Sequence, residues 1–226
     1  MTKTLMLMRH AKSSWKDREL EDFDRPLKKK GAQTSETVGR LLKRSGMTPD
    51  LILSSPAERA SETAEIVAKF SAYQHAVQYY DSFYMGEPED YLTPIVELND
   101  DIKSVMLIGH NPGLEALLQI LEGKVRALST GSLASIELPL NHWQDLNLTT
   151  IGELVTFWDQ DDTDLEEIEE KMAKDKKDDK KKAKKEKEEK LEDKLEKKDK
   201  KIEKKENKEK KDKKDKKDKK DKKEKK

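Results

Sequence analysis

Cysteine is absent from all 226 residues, which excludes disulfides and thiolate metal sites and fits a reducing compartment. No apolar run approaches the roughly 20 residues of a membrane helix. The apolar stretch near the N-terminus, Thr4-Leu5-Met6-Leu7-Met8, is shorter than the roughly 7–15 residues of a signal-peptide core. A cytoplasmic protein without a membrane span is therefore expected. Aromatic residues make up 5% of the chain, and none occurs after Trp158, so base stacking by the C-terminal part is excluded. No group of His, Asp and Glu has metal-ligand spacing, so neither a metal nor another cofactor is expected. Heptads are missing before Trp158, which points to a monomer.

Net charge is also missing, but zero is a cancellation. Residues 1–170 carry 17 Lys+Arg against 30 Asp+Glu, a net of −13, and residues 171–226 carry 31 Lys against 18 Asp+Glu, a net of +13. The charged fraction of 42% far exceeds the roughly 25% usual for globular chains. The chain divides into three segments. Residues 1–159 read as a folded domain, 160–170 as an acidic linker, and 171–226 as a Lys/Asp/Glu-rich low-complexity tail. The tail has too few apolar residues to offset its ordering entropy. Glu/Lys spacing over 185–210 offers some i,i+4 pairs of a solvated helix, whereas the final Asp-Lys-Lys repeats predict disorder.

Within the domain, short apolar runs predict strands at Leu5–Met8, Leu51–Leu53, Val77–Tyr80, Val105–Ile108, Ser132–Leu138 and Glu153–Trp158. The Leu51 and Val105 runs are continuous, as in strands covered on both faces. Helical spacing appears at Thr34–Arg44, Arg59–Phe70 and Leu114–Leu121, the last opened by Asn111-Pro112 as a cap and a first-turn proline. Alternating strands and helices argue for a three-layer α/β/α sandwich with a mostly parallel sheet. Ligands in such sheets bind beyond the carboxyl ends of the strands.

Three segments place basic side chains at those ends: Leu7-Met8-Arg9-His10, Ser54-Ser55-Pro56-Ala57-Glu58-Arg59, and Ile108-Gly109-His110-Asn111-Pro112-Gly113. Together they would gather two imidazoles and two guanidiniums. Arg9 and Arg59 match the equatorial oxygens of a phosphoryl group in transfer. His10 suits an in-line nucleophile, provided that it is neutral, which neighbouring arginine charges favour. Its second ring nitrogen should donate to a carbonyl and so set the tautomer. His110 suits a third donor to phosphate, with the N-terminus of the next helix behind it. His75 and His142 have no such setting and read as structural or exposed.

These residues carry a resemblance. The chain resembles the histidine phosphatase superfamily, and within it the small SixA-type phosphohistidine phosphatases, over about residues 3–158. The matching segments are Leu7 to Trp15, Asp22-Phe23-Asp24-Arg25-Pro26-Leu27 with Gly31, Ser54 to Ala60 with Thr63-Ala64, and Gly109 to Glu115. The resemblance implies a phosphoglycerate-mutase-like fold, His10 as the nucleophile, and phosphate binding by Arg9, Arg59 and His110. Arg25 would border the site, either as a further phosphate contact or as an aspartate-paired loop arginine. Ester-cleaving members carry an acidic proton donor after the third strand. Here that region offers Asp81 and Glu87, either as donors or as a loop residue and a first-turn helix charge. An alkoxide leaving group needs a proton, whereas the imidazole of a phosphoramidate is less basic. A missing donor therefore favours a metal-independent phosphohistidine phosphatase acting on a phosphoprotein through a phospho-His10 intermediate. The short domain, with no insertion between Arg59 and His110, suits a protein-borne phosphate. The rival readings are a small-molecule phosphomonoesterase, such as one for sugar phosphates, and a phosphate-binding domain that its basic tail tethers weakly to polyanions.

Overall fold

Strand β1 (Lys3–Arg9) lies inside the sheet, paired in parallel with β4 (Ser104–Gly109) and antiparallel with β5 (Leu133–Leu138). The structure, a computed structural model, describes residues 2–159; the linker and tail expected after residue 159 lie outside the described residues. The other elements are α1 (Lys29–Ser45), β2 (Leu51–Ser54), α2 (Glu58–Ser71), β3 (Gln78–Tyr79), α3 (Pro88–Val96), α4 (Gly113–Glu122) and β6 (Glu153–Trp158). The strands form one sheet of order β3-β2-β4-β1-β5-β6. The pairings among β1 to β4 are parallel, and β5 and β6 are antiparallel. The expected α/β sandwich with a mostly parallel sheet is the observed architecture.

Alternation along each strand separates two cores. Leu5, Leu7, Leu53, Val105, Leu107 and Ile136 are buried with Tyr91, Ile95, Leu114, Leu117 and Leu118 of α3 and α4. Met6, Met8, Ile52, Met106 and Ile108 are buried on the other face, where α1 and α2 supply Val38, Leu42, Ala60, Ala64 and Val67. Helices α1 and α2 approach closely at Gly39, where a Cβ would come within 2.8 Å of Phe70 Cβ and 2.9 Å of Val67 O. α1 ends at Gly46, whose φ of 70° is the left-handed conformation of a helix stop. At the opposite end of β1 from Arg9, the buried Lys3 ammonium is pinned by the carbonyls of Asp100 and Ile102, each at 2.9 Å.

Some local expectations are revised. Helix α3 has little apolar periodicity to mark it, but a reciprocal capping box between Glu87 and Asp90 and a proline in its first turn start it. The opening of α4 differs from the predicted cap. Pro112 is itself the cap residue, and Asn111 turns its side-chain amide to Leu128 O at 2.9 Å instead of capping the helix. The predicted strand at Val77–Tyr80 shrinks to two residues at the sheet edge, where one neighbour supplies all its pairing.

Candidate active site

The parallel register sets the site. Arg9 lies abreast of Gly109, and Ser54 abreast of Ile108. Each chain leaves its strand held to a neighbour: His10 N–H donates to Gly109 O at 3.0 Å, and Ser55 N–H to Ile108 O at 2.9 Å. His10, His110, Arg9 and Arg59 thus meet at the carboxyl end of the parallel strands, as their sequence positions suggested. The two imidazole centroids are 5.1 Å apart.

His10 is buried and donates from Nδ1 to Ala11 O at 2.8 Å. That bond leaves Nε2 as the lone-pair nitrogen, and Arg59 Nε donates to it at 3.2 Å. Burial, then the charges of Arg59, Arg9 and Arg25, lower the His10 pKa to about 4, against the opposing effect of the Ala11 bond. The ring is therefore neutral at pH 7. The Ala11 segment is itself anchored, since Ala11 N–H donates to Thr63 Oγ1 at 3.1 Å from the first turns of α2.

Arg59 spends every nitrogen locally. Besides Nε on His10, Nη1 donates to Asp22 O, and Nη2 lies 2.9 Å from Asp22 Oδ2 and 3.3 Å from His110 Nδ1. Arg9 donates from Nη1 to Leu128 O at 2.8 Å. Its buried Nε has no protein partner among the described residues. His110 Nε2 faces Ser55 Oγ at 2.9 Å. Burial, then His10, Arg59 and Arg9, lower the His110 pKa to about 3, while Asp22 opposes them. Its backbone N–H donates to the Tyr91 hydroxyl at 3.1 Å. Gly109 allows that approach, because a Cβ there would stand 2.4 Å from the Tyr91 hydroxyl oxygen.

The three remaining candidates make no hydrogen bond to either imidazole among the described residues. Arg25 binds Ser14 O at 3.0 Å, Asp22 Oδ1 at 2.5 Å and Ser13 Oγ at 2.7 Å, and its guanidinium lies 3.2 Å from the centroid of the Trp15 ring. It is paired with Asp22, as Arg59 also is, and its charge acts on His10. Asp81 starts a short 3-10 turn and is exposed. Glu87 is exposed and is the cap residue of α3, where its backbone N–H donates to Asp90 Oδ2 at 2.8 Å. Among the described residues neither hydrogen bonds to His10, His110, Arg9 or Arg59, and no group of three or more His, Cys, Asp or Glu could hold a metal ion.

Sequence reasoning assigned no role to Asp22, Tyr84 or Ser55. Asp22 bridges Arg25 and Arg59 and accepts from the Tyr84 hydroxyl at 3.0 Å. Burial works against its ionisation, but the bond from Arg25, the charge of Arg59 and the bond from Tyr84 outweigh it, so its pKa is lowered. Tyr84 in turn packs edge-on against His110 at 5.5 Å and against Phe23 at 5.1 Å. The Asp22 segment was visible as a motif, but nothing in its spacing says that the loop folds back onto Arg59.

Comparison with known proteins agrees with this fold. Residues 5–80 match the family model of the histidine phosphatase superfamily, branch 1. An uncharacterized chloroplastic protein of Arabidopsis thaliana is 35% identical over 154 residues, which cover 64% of this chain and 71% of that protein. The crystal structure of the putative phosphohistidine phosphatase SixA from Agrobacterium tumefaciens superposes with a TM-score of 0.60 at 29% identity, over 70% of this chain and 97% of that one. A putative α-ribazole-5'-P phosphatase from Escherichia coli shares the fold at 17% identity, with a TM-score of 0.51 over 70% of this chain and 97% of that one. The chain belongs to the histidine phosphatase superfamily, in its SixA-type group, and is a phosphatase of the hydrolase class.

Proposed function

We propose that this chain is a metal-independent phosphohistidine phosphatase that takes phosphate from a protein through a phospho-His10 intermediate. The observation that carries the reading is the tautomer of His10: its Nδ1 proton is committed to Ala11 O, and the bare Nε2 faces Arg59. In this mechanism Nε2 attacks phosphorus and the bond to the leaving nitrogen breaks. Arg9, Arg59 and His110 hold the equatorial oxygens, where charge stabilisation does most of the work. Water then attacks phospho-His10, and inorganic phosphate leaves.

The leaving group separates this reading from ester hydrolysis. A phosphorylated imidazole protonated on its distant nitrogen departs as neutral imidazole and brings its own proton. An alkoxide needs an acid from the protein. The carboxylate bonded to Arg59, Asp22, is held ionised by two guanidiniums, so it is a poor acid. Glu87 makes no hydrogen bond to His10, His110, Arg9 or Arg59 among the described residues. A protein-borne substrate is further supported by exposed apolar side chains on the loops at the site end of the sheet. Trp15 is 68% and Met85 77% exposed. Exposed apolar groups of this kind gain by contact with a macromolecule.

The test compares phosphate release by the purified full-length chain, with chelator present, from a phosphohistidine protein, a phosphoserine peptide and sugar phosphates. Faster turnover of phosphohistidine, with loss in His10→Ala, is expected. Faster turnover of an ester would move the assignment to a small-molecule phosphomonoesterase.

A further inference from the structure

We propose that Ser55 is a positioning residue that lets neutral His110 exchange one tautomer for the other when an oxyanion enters the site. The inference rests on the phosphate-site reading above and goes beyond it by giving His110 a way to donate without becoming an imidazolium.

Ser55 comes directly after β2 and is fully buried. Its hydroxyl oxygen lies 2.9 Å from His110 Nε2 and accepts a longer bond from Ala57 N–H at 3.3 Å. The other ring nitrogen, Nδ1, lies 3.3 Å from Arg59 Nη2. A guanidinium has only donors to offer. Nδ1 must therefore present its lone pair to Arg59, which places the ring proton on Nε2, directed at Ser55 Oγ. The Ser55 hydroxyl hydrogen is then left over, because both of its neighbours, Nε2–H and Ala57 N–H, are donors. Without an anion the network is one acceptor short.

An oxyanion oxygen shared by Arg59 and His110 supplies that acceptor. Arg59 turns its donor from the ring to the oxygen, and Nδ1 takes a proton and donates to the same oxygen. Nε2 becomes a lone pair and accepts from Ser55 O–H. Every hydrogen now has an acceptor. The exchange adds no net proton to the ring: one leaves Nε2 and one arrives at Nδ1, each by way of solvent or a protonated anion. Ser55 only rotates its hydroxyl. A hydroxyl is suited to this because it accepts in one state and donates in the other; alanine can do neither and threonine can do both.

The competing route is protonation of His110 to an imidazolium that donates from both nitrogens. In the anion-free site burial opposes it, as do His10, Arg59 and Arg9, and Asp22 favours it; a bound oxyanion adds its own favourable charge, so the spectra of the complex decide between the two routes. The aromatic edge of Tyr84, at 5.5 Å, adds no compensating charge.

The experiment uses full-length protein labelled with 15N-histidine and long-range 1H–15N spectra at pH 7, with and without saturating tungstate. The expected result is a neutral His110 in both states, with the proton on Nε2 in the free protein and on Nδ1 in the complex. In Ser55→Ala tungstate should bind about tenfold more weakly or worse, the scale of leaving a buried ring nitrogen unpaired. Ser55→Thr should restore most of the affinity. A doubly protonated His110 in the wild-type complex, or a proton that stays on Nε2, would overturn the proposal without recourse to any variant. So would wild-type affinity in Ser55→Ala. Failure of the wild type to bind tungstate at all would overturn the phosphate-site reading itself; binding with no tautomer exchange removes only the role of Ser55.

Discussion

Asp22 Oδ2 lies 2.9 Å from Nη2 of Arg59, on the same nitrogen that reaches to within 3.3 Å of His110 Nδ1. A loop carboxylate therefore shares the guanidinium edge that faces the imidazole pair. It holds Arg59 in place and keeps a negative charge at the mouth of the site. Asp22→Asn removes the charge and retains the shape. Turnover should fall about tenfold, the loss of one charge-assisted contact to a positioned group. Because the Asp22 side chain is 46% exposed, its pairs contribute only about 0.2–1 kcal/mol of stability. That contribution should be present above the ordinary aspartate value of 3.8 and lost as pH falls through the lowered folded value. Steady-state kinetics and thermal melts of the variant check both effects.

His10→Ala should lower phosphohistidine hydrolysis by roughly a thousandfold or more, the scale for removal of a covalent nucleophile. The wild type quenched during turnover should carry acid-labile phosphate that the variant lacks. Full turnover in the variant would exclude His10 as the phosphate acceptor.

The lowered His10 pKa of about 4 sets an acid limb. The nucleophile is neutral above that pH, so kcat/KM should begin to fall near pH 4, not near the 6.5 of a free histidine. Stability should respond in a different window. Below pH 6.5 the unfolded chain gains protons that the buried rings of His10 and His110 refuse until about 4 and about 3. Stability is therefore lost progressively as pH falls through that interval. Denaturant titrations from neutral pH down to about 4 would show the decline, and His10→Ala should flatten it.

Gly109→Ala should destabilise by about 1–3 kcal/mol, the usual penalty of overpacking. Its Cβ would meet Tyr91 2.4 Å away, in the contact that also receives the His110 N–H. Activity should fall with stability, because relieving the clash moves His110. Tyr91→Phe removes the hydrogen bond and keeps the ring; it should cost about 1 kcal/mol and a smaller share of activity.

Met85→Ser tests the macromolecular substrate. Met85 is 77% exposed and belongs to none of the hydrogen bonds around His10 and His110. The variant should raise KM for a phosphohistidine protein several-fold and leave turnover of a small phosphoramidate unchanged. Equal effects on the two substrates would argue against a docking rim.

Much of this site was legible in one dimension because strand ends are legible. Arg9-His10, Ser54-Ser55 and Gly109-His110 each close a short apolar run, and parallel pairing of those runs gathers the three pairs at one end of the sheet. Helix α3 showed in the sequence only at its start, where Glu87 read as a first-turn charge, because a capping box and an early proline define it better than apolar spacing does. The partners of the Arg25 guanidinium, Asp22, Ser13 and Ser14, lie 3 to 12 residues away along a loop whose course no periodicity marks.

The amino-acid sequence by itself determined the alternation of strands and helices and the four basic residues at one end of the sheet, because periodicity and turn residues act locally along the chain. It also determined the opposed charges of residues 1–170 and 171–226. Only the tertiary structure decided that Asp22 closes onto Arg59, that Ala11 O sets the His10 tautomer, and that Ser55 faces His110. Hydrogen bonds between Arg59 and Asp22 or His110 and Ser55 span 37 and 55 residues, and their geometry depends on how loops return over the sheet. That return is set by packing across the whole domain, which no local spacing records.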